Sequence, residues 1–265
     1  MIVTTTDQPS ADMLATAARL AEELGARLEP RRRRTLGQLA AQAGDRELLV
    51  VTSTQLRYYG GPEEPPFYFH PSMAYVRVKR LRKGEPDPLV ELAGVRPGDR
   101  VLDCTAGLAG DAIVFAYAAG PEGEVTALES EPVLHAVVRD GLRTYETELP
   151  DVTAALRRIR AVRADYAEHL RSLPDDSFDI VYFDPMFRDP VHESSSIGPL
   201  RGLANPEPLH PDAVREAMRV ARRAVVLKET NHSPEFGRLG FVRCPGKKTS
   251  AVGYGVITIG KHDPA

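Results

Sequence analysis

From about residue 88 onward, short apolar runs of strand character alternate with helical stretches, and no other feature of the chain constrains the fold as tightly. Runs at 100–104, 124–128, 159–163, 178–184, 224–228, 241–244 and 255–259 read as strands. Helices are expected between them at about 109–119, 131–146, 165–172 and 211–222. Strands separated by helices pair in parallel and are covered on both faces. The expectation is therefore an α/β chain whose seven strands form a Rossmann-like sheet.

Residues 1–87 carry a different pattern and are expected to form a smaller N-terminal α/β unit, with 88–265 as the main domain. A strand at 2–5 precedes a helix with Leu14, Ala17, Ala18, Ala21 and Leu24 at helical spacing, stopped by Gly25. A short helix at 36–43 ends at Gly44, a buried strand follows at 48–51, and Phe67-Tyr68-Phe69 reads as another. A helix is expected over 71–83. The Pro-, Ser- and Gly-rich stretch 188–208 is long for a loop in a compact domain.

The 265 residues can bury a full core, and the formal net charge of −3 provides no global attraction to nucleic acid. Any such contact needs a local patch. The candidates are Arg31–Arg34 and the run Arg77, Lys79, Arg80, Arg82 and Lys83, which Arg188, Arg201, Lys247 and Lys248 could extend. A solvated face is the better account of the first run, whereas the second, beside Phe67-Tyr68-Phe69 and His70, fits substrate contact as well as a solvated face. Cys104 and Cys244 lie far apart with no metal-ligand spacing, so neither a disulfide framework nor a metal site is expected. No apolar run approaches the roughly 18 residues of a membrane span, and the chain reads as soluble and cytoplasmic.

Two strand ends carry chemistry. The first strand runs into Asp103-Cys104-Thr105-Ala106-Gly107-Leu108-Ala109-Gly110-Asp111. Ligands of open α/β sheets sit beyond the carboxyl ends of the strands. Gly107 and Gly110 let backbone approach a ligand, and the following helix N-terminus favours a carboxylate. A dinucleotide site would instead use G-x-G-x-x-G, and position 109 is Ala. Glu129, closing the second strand, can accept from ribose hydroxyls. Asp165, with Tyr166, follows the third and can accept from an adenine amine, although a helix cap explains it as well. Acids in register over four strand ends point to S-adenosylmethionine.

The second is Asp184-Pro185-Met186-Phe187, after the apolar run 180–183. The Asp184 carboxylate and the Pro185 carbonyl can accept the two protons of an exocyclic amine and so localise its lone pair, while Phe187 offers a face for a base to stack on. A turn chosen for Asp-Pro chemistry is the plain alternative. Lys228, ending the next strand, could reach substrate or phosphate, or simply be solvated. Together the two strand ends predict an S-adenosylmethionine-dependent N-methyltransferase that releases S-adenosylhomocysteine.

These motifs, with Val225-Val226-Leu227-Lys228 and Ser72-Met73-Ala74-Tyr75, resemble the RsmJ-like family over about 71–228. The resemblance implies a class I methyltransferase sheet and methylation of a guanine N2 amine in small-subunit ribosomal RNA. It implies cofactor contacts at Gly110, Asp111, Glu129, Ser130, Asp165, Tyr166 and Asp184. Ala109 stands where the family has Gly, and Gly110 where it has Arg. The expected partner is structured RNA, gripped in part by the N-terminal unit and by Arg80 and Arg82, without metal or membrane. The alternatives are an N-methyltransferase for a small molecule, a protein amide or a DNA base, and a non-catalytic cofactor- or RNA-binding module. An NAD-dependent dehydrogenase fits least.

Overall fold

A computed structural model describes residues 1–185, 208–245 and 250–260. The chain packs as two compact units, each described by itself below. Among the described residues the first comprises Met1–His70 and Glu131–Glu146, and the second takes the rest. The change of unit after His70 puts the helix at 72–82 and the stretch up to 87 in the second unit, where composition alone groups them with the first.

In the first unit, strands β1 (Ile2–Thr5), β2 (Arg27–Leu28), β3 (Leu48–Val51) and β4 (Leu56–Tyr59) form a sheet in the order β2-β1-β3-β4. β1 runs parallel to β2 and β3, and β4 is antiparallel to β3. Helix α1 (Ala11–Glu23) starts where Ser10 accepts from the Met13 amide, and it buries Met13, Ala17, Leu20 and Ala21. Helix α2 (Leu36–Ala43) opens with a Thr35–Gln38 capping box and stops at Gly44, in the left-handed conformation. The expected strand at 67–69 is not formed. Phe67 makes an isolated bridge to Tyr58, and the strand of this region is β4, whose Leu56-Arg57-Tyr58-Tyr59 lacks a clean apolar run. Phe69 is spent instead on packing: a Cβ on Gly141 would lie 2.1 Å from its ring.

The second unit begins with α3 (Ser72–Arg82) and α4 (Pro88–Ala93). There follow β5 (Arg100–Asp103), α5 (Gly110–Ala118) and β6 (Glu124–Glu129). The next helix, α6 (Pro132–Thr144), belongs to the first unit. The chain continues through α7 (Pro150–Arg158), β7 (Ile159–Arg163), α8 (Tyr166–Ser172), β8 (Phe178–Phe183), α9 (Pro211–Val220), β9 (Ala221–Thr230), α10 (Glu235–Arg238), β10 (Val242–Arg243) and β11 (Val252–Thr258). The sheet order is β10-β11-β9-β8-β5-β6-β7, seven strands as expected, with β10 and β11 neighbours. β7, β6, β5, β8 and β9 are parallel; β11 is antiparallel to both β9 and β10.

Residues of β8 show why both faces must be covered. Val181 and Phe183 enter a cluster with Leu170, Val214 and Ala217 of α8 and α9, while Tyr182 turns the other way onto Phe115 of α5, ring centroids 5.2 Å apart. Period-2 alternation therefore feeds two cores, and the strand reads as one continuous apolar run. Among the described residues no helix is long and apolar enough to cross a membrane.

Candidate active site

The carboxyl ends of β5, β6 and β8 meet around the turn 104–109, which is stitched to both neighbouring strands. Cys104 donates its amide to the Tyr182 carbonyl (2.9 Å) and Ala106 to that of Leu128 (3.0 Å). Thr105 Oγ1 accepts from the Asp184 amide at 2.5 Å, fixing the exit of β8 against the turn. Asp103 is only 1% exposed; it accepts from the Thr105 amide, and burial, reinforced by Asp111, pushes its carboxyl well above the usual range. Ala109 takes the left-handed conformation (φ 58°) as the residue before α5, a geometry that costs an L residue about 1 kcal/mol. Its side chain cannot cap the helix, so the first-turn amides of α5 are left to other partners.

Beside this turn the Gly107 amide donates to Glu129 Oε2 at 3.2 Å. A Cβ at Gly107 or at Gly110 would meet nothing within 4 Å, so this strip of backbone is open. Ser130 is exposed. Asp165 caps α8, its Oδ1 accepting from the Ala167 and Glu168 amides (2.9 and 3.0 Å). Its Oδ2 takes no hydrogen bond among the described residues. Tyr166 stacks edge-on against Phe183 (5.8 Å), which holds the 165–166 pair beside the carboxyl end of β8.

The charged centre is denser than spacing could reveal. Lys228 Nζ donates to Asp184 Oδ2 at 2.6 Å and to Asp111 Oδ2 at 2.9 Å. The Tyr182 hydroxyl donates to Asp111 Oδ2 at 2.7 Å, and Arg77 pairs with Asp111 Oδ1. Arg77 also grips Asp87 through two bonds of 2.8 Å, and Asp87 caps α4. Asp111, 8% exposed, thus has its carboxylate committed to protein donors. Burial alone would raise its pKa, but Lys228 and Arg77 outweigh that and hold it well below the usual range. Asp184 goes the other way: burial, opposed by Lys228 and aided by Asp111, pushes it up to about 6. Tyr254, opposite Lys228 on β11, is pushed up to about 12 by burial and then by Asp111.

Arg80 and Arg82 are not brought to this centre. They are exposed, paired with Glu85 and Asp151 at 2.8 Å each. Lys228, expected to be a substrate contact or solvated, is instead bound to two carboxylates. Phe187, Met186, and the basic candidates Arg188, Arg201, Lys247 and Lys248 lie outside the described residues. Asp87, Tyr182 and Tyr254 were missed, and Arg77, expected in a basic run as a nucleic-acid contact, is instead paired with Asp87 and Asp111; its one signal is a place beside the buried Ala74 and Val78 on α3. Among the described residues no group of three or more His, Cys, Asp or Glu is arranged to hold a metal ion.

The donor set fits S-adenosylmethionine. Open backbone at 107 and 110 and an uncapped helix start suit its carboxylate, and Glu129 suits the ribose hydroxyls. Comparison with known proteins agrees. A family model described as "Putative SAM-dependent methyltransferase" matches residues 38–237. Uncharacterized protein YpiP of Bacillus subtilis is 41% identical over 256 residues, 97% of this chain and 98% of that one. Ribosomal RNA small subunit methyltransferase J of Pseudomonas aeruginosa is 30% identical over 233 residues, 85% and 84% of the two chains. The crystal structure of a SAM-dependent methyltransferase of Neisseria gonorrhoeae matches with a TM-score of 0.65 at 16% identity, over 97% of this chain and 96% of that one, which bears out the class I, Rossmann-like fold.

Proposed function

The chain belongs to the family of S-adenosylmethionine-dependent methyltransferases that includes the ribosomal RNA small subunit methyltransferase J proteins, and on that premise we propose that its acceptor is the exocyclic N2 amine of a guanine in small-subunit ribosomal RNA. S-adenosylmethionine is its cofactor. The observation that carries the proposal is Asp184: a carboxylate at the carboxyl end of β8, tied to Lys228 through Oδ2, with Oδ1 taking no hydrogen bond among the described residues, and followed by the Pro185 carbonyl.

When bound, S-adenosylmethionine supplies a methyl on a positively charged sulfur, which leaves as S-adenosylhomocysteine. The protein's task is to aim a poor nucleophile. The N2 lone pair is delocalised into the guanine ring, and acceptors at both amine protons turn it out of that conjugation. Asp184 Oδ1 and the Pro185 carbonyl are those acceptors, and Phe187 supplies a stacking face. Nitrogen sheds one proton after methylation, and Asp184, with a pKa of about 6, can receive it and return it to water. Gly107, Gly110, Glu129, Ser130, Asp165 and Tyr166 hold the cofactor. Residues 1–87, the basic face of α3 among them, hold the RNA, and 88–265 perform the transfer.

The test is transfer of labelled methyl to purified small-subunit ribosomal RNA, assembled small subunits, transfer RNA and DNA, with nucleosides identified after digestion. N2-methylguanosine in the ribosomal RNA alone is the expected result. Label in another base, or in DNA, would replace the acceptor assigned here.

A further inference from the structure

Lys228 is where the structure departs most from what its position in the sequence suggests. It is 20% exposed and sits between two carboxylates within hydrogen-bonding distance, one of which, Asp184, is 26% exposed. A residue meant to bind substrate phosphate would have to leave both anions to do so. The ammonium is instead the last link of a braced series: the Asp87 cap of α4 holds Arg77 of α3, Arg77 and the Tyr182 hydroxyl hold Asp111 of α5, and Asp111 holds Lys228 of β9. Each link joins a different element, so Nζ is fixed relative to the sheet. β8 and β9 pair with Phe183 opposite Leu227, and this brings Asp184 and Lys228 side by side.

We propose that Lys228 is a positioning residue for methyl transfer: anchored by Asp111, it clamps Oδ2 of Asp184 and so sets the carboxylate plane with Oδ1 turned to the acceptor amine. The assignment rests on the reading of Asp184 as the amine's acceptor. A carboxylate on a single Cα–Cβ–Cγ arm rotates unless one oxygen is held. A two-proton acceptor site needs one oxygen at a defined place, because the Pro185 carbonyl that completes it cannot adjust. The clamp also keeps Asp184 ionised in a partly buried place where two carboxylates share one lysine, since a carboxylate withdrawn from water without a partner takes up a proton instead.

The clamp makes a signed prediction about pH. The titratable and charged groups around Asp184 are Lys228 and Glu229 on β9, Asp111 on α5, Asp103 at the end of β5, Tyr182 on β8, and, behind Asp111 and Lys228, Arg77 on α3 and Tyr254 on β11. Lys228 lowers the Asp184 pKa, and Asp111 raises it. Removing the lysine charge must therefore move the acid limb of the activity profile up, and removing the Asp111 charge must move it down.

The experiment is the pH dependence of kcat, with KM for ribosomal RNA, for wild type, Lys228→Met, Lys228→Arg and Asp111→Asn. The Asp184 carboxyl carbon-13 resonance is followed in the same proteins with S-adenosylhomocysteine present. The expected outcome is an acid limb shifted up by at least about one unit in Lys228→Met, with kcat at neutral pH down at least about tenfold and KM nearly unchanged. Lys228→Arg, which keeps the charge, leaves the limb in place. If Lys228→Met fails to fold, Lys228→Gln, which also removes the charge and keeps a polar end, is measured in its place with the same upward shift expected. A Lys228→Met profile scaled equally at every pH, a loss falling on KM, or an unmoved limb in Asp111→Asn would overturn the proposal. If wild type transfers no methyl to RNA, the acceptor assignment fails, and the carbon-13 titration still reports the clamp because it needs no acceptor.

Discussion

At the scale of single residues, two carboxylates hydrogen-bonded to one lysine are driven in opposite directions from the usual carboxylate pKa. Asp111 stays ionised because Lys228, Arg77 and the Tyr182 hydroxyl surround it, whereas burial, aided by Asp111, pushes Asp184 up to about 6 although it shares the lysine. The raised value carries a cost in stability. A carboxyl whose folded pKa exceeds its unfolded one binds the proton more tightly when folded, so stability falls as pH rises between about 4 and 6. Asp184→Asn is accordingly expected to match wild type in melting temperature near pH 4 and to be the more stable protein above pH 6; a variant less stable at neutral pH and equal at none would contradict that sign. Glu129 is the residue-scale test of the cofactor site. Glu129→Ala loses a charged acceptor beside the Gly107 amide and should weaken S-adenosylhomocysteine binding by about 1–3 kcal/mol in a calorimetric titration. An unchanged dissociation constant would place the ribose elsewhere.

At the scale of elements, segments with a clear local signal were legible and those without one were not. The Leu48–Val51 strand and the Leu36–Ala43 helix are found where the residues place them, because a buried apolar run and a glycine stop are local signals. α4, α7 and β4 were not legible. α4 has six residues, too few to show a period; α7 buries only Val152, Ala155 and Leu156; β4 is a strand because β3 pairs with it. The one long helix expected at 131–146 stops at Thr144, and α7 begins afresh behind Pro150. The site divides along the same line. Acids at strand ends follow from strand boundaries, so Asp103, Glu129, Asp165 and Asp184 could be named from spacing. The Arg77–Asp111–Lys228 links join α3, α5 and β9, and nothing local in the chain announces them. Gly141 is an element-scale test within the first unit. Gly141→Ala puts a Cβ 2.1 Å from Phe69, and it should lower stability by about 1–3 kcal/mol in denaturant unfolding despite the better helix propensity of Ala. A stabilised variant would mean that Phe69 repacks freely.

At the scale of the whole molecule, a chain of net charge −3 can hold the RNA proposed as its substrate only through local patches. The exposed face of α3 combines Met73, 66% exposed, with Lys79 and the paired Arg80 and Arg82. Exposed ion pairs are worth under about 1 kcal/mol, so both arginines can exchange their acids for phosphate at little cost. Arg80→Glu with Arg82→Glu should leave S-adenosylhomocysteine binding intact, weaken ribosomal RNA binding, and flatten its dependence on salt concentration. An RNA affinity and salt slope equal to wild type would remove α3 from the RNA surface. Whether Asp184 aims the acceptor amine is read from the single-turnover rate of methyl transfer by Asp184→Asn at saturating cofactor and RNA. A fall of at least about 100-fold, near 3 kcal/mol of transition-state stabilisation, in a protein that remains folded is the expected result. A rate within a few-fold of wild type would contradict it.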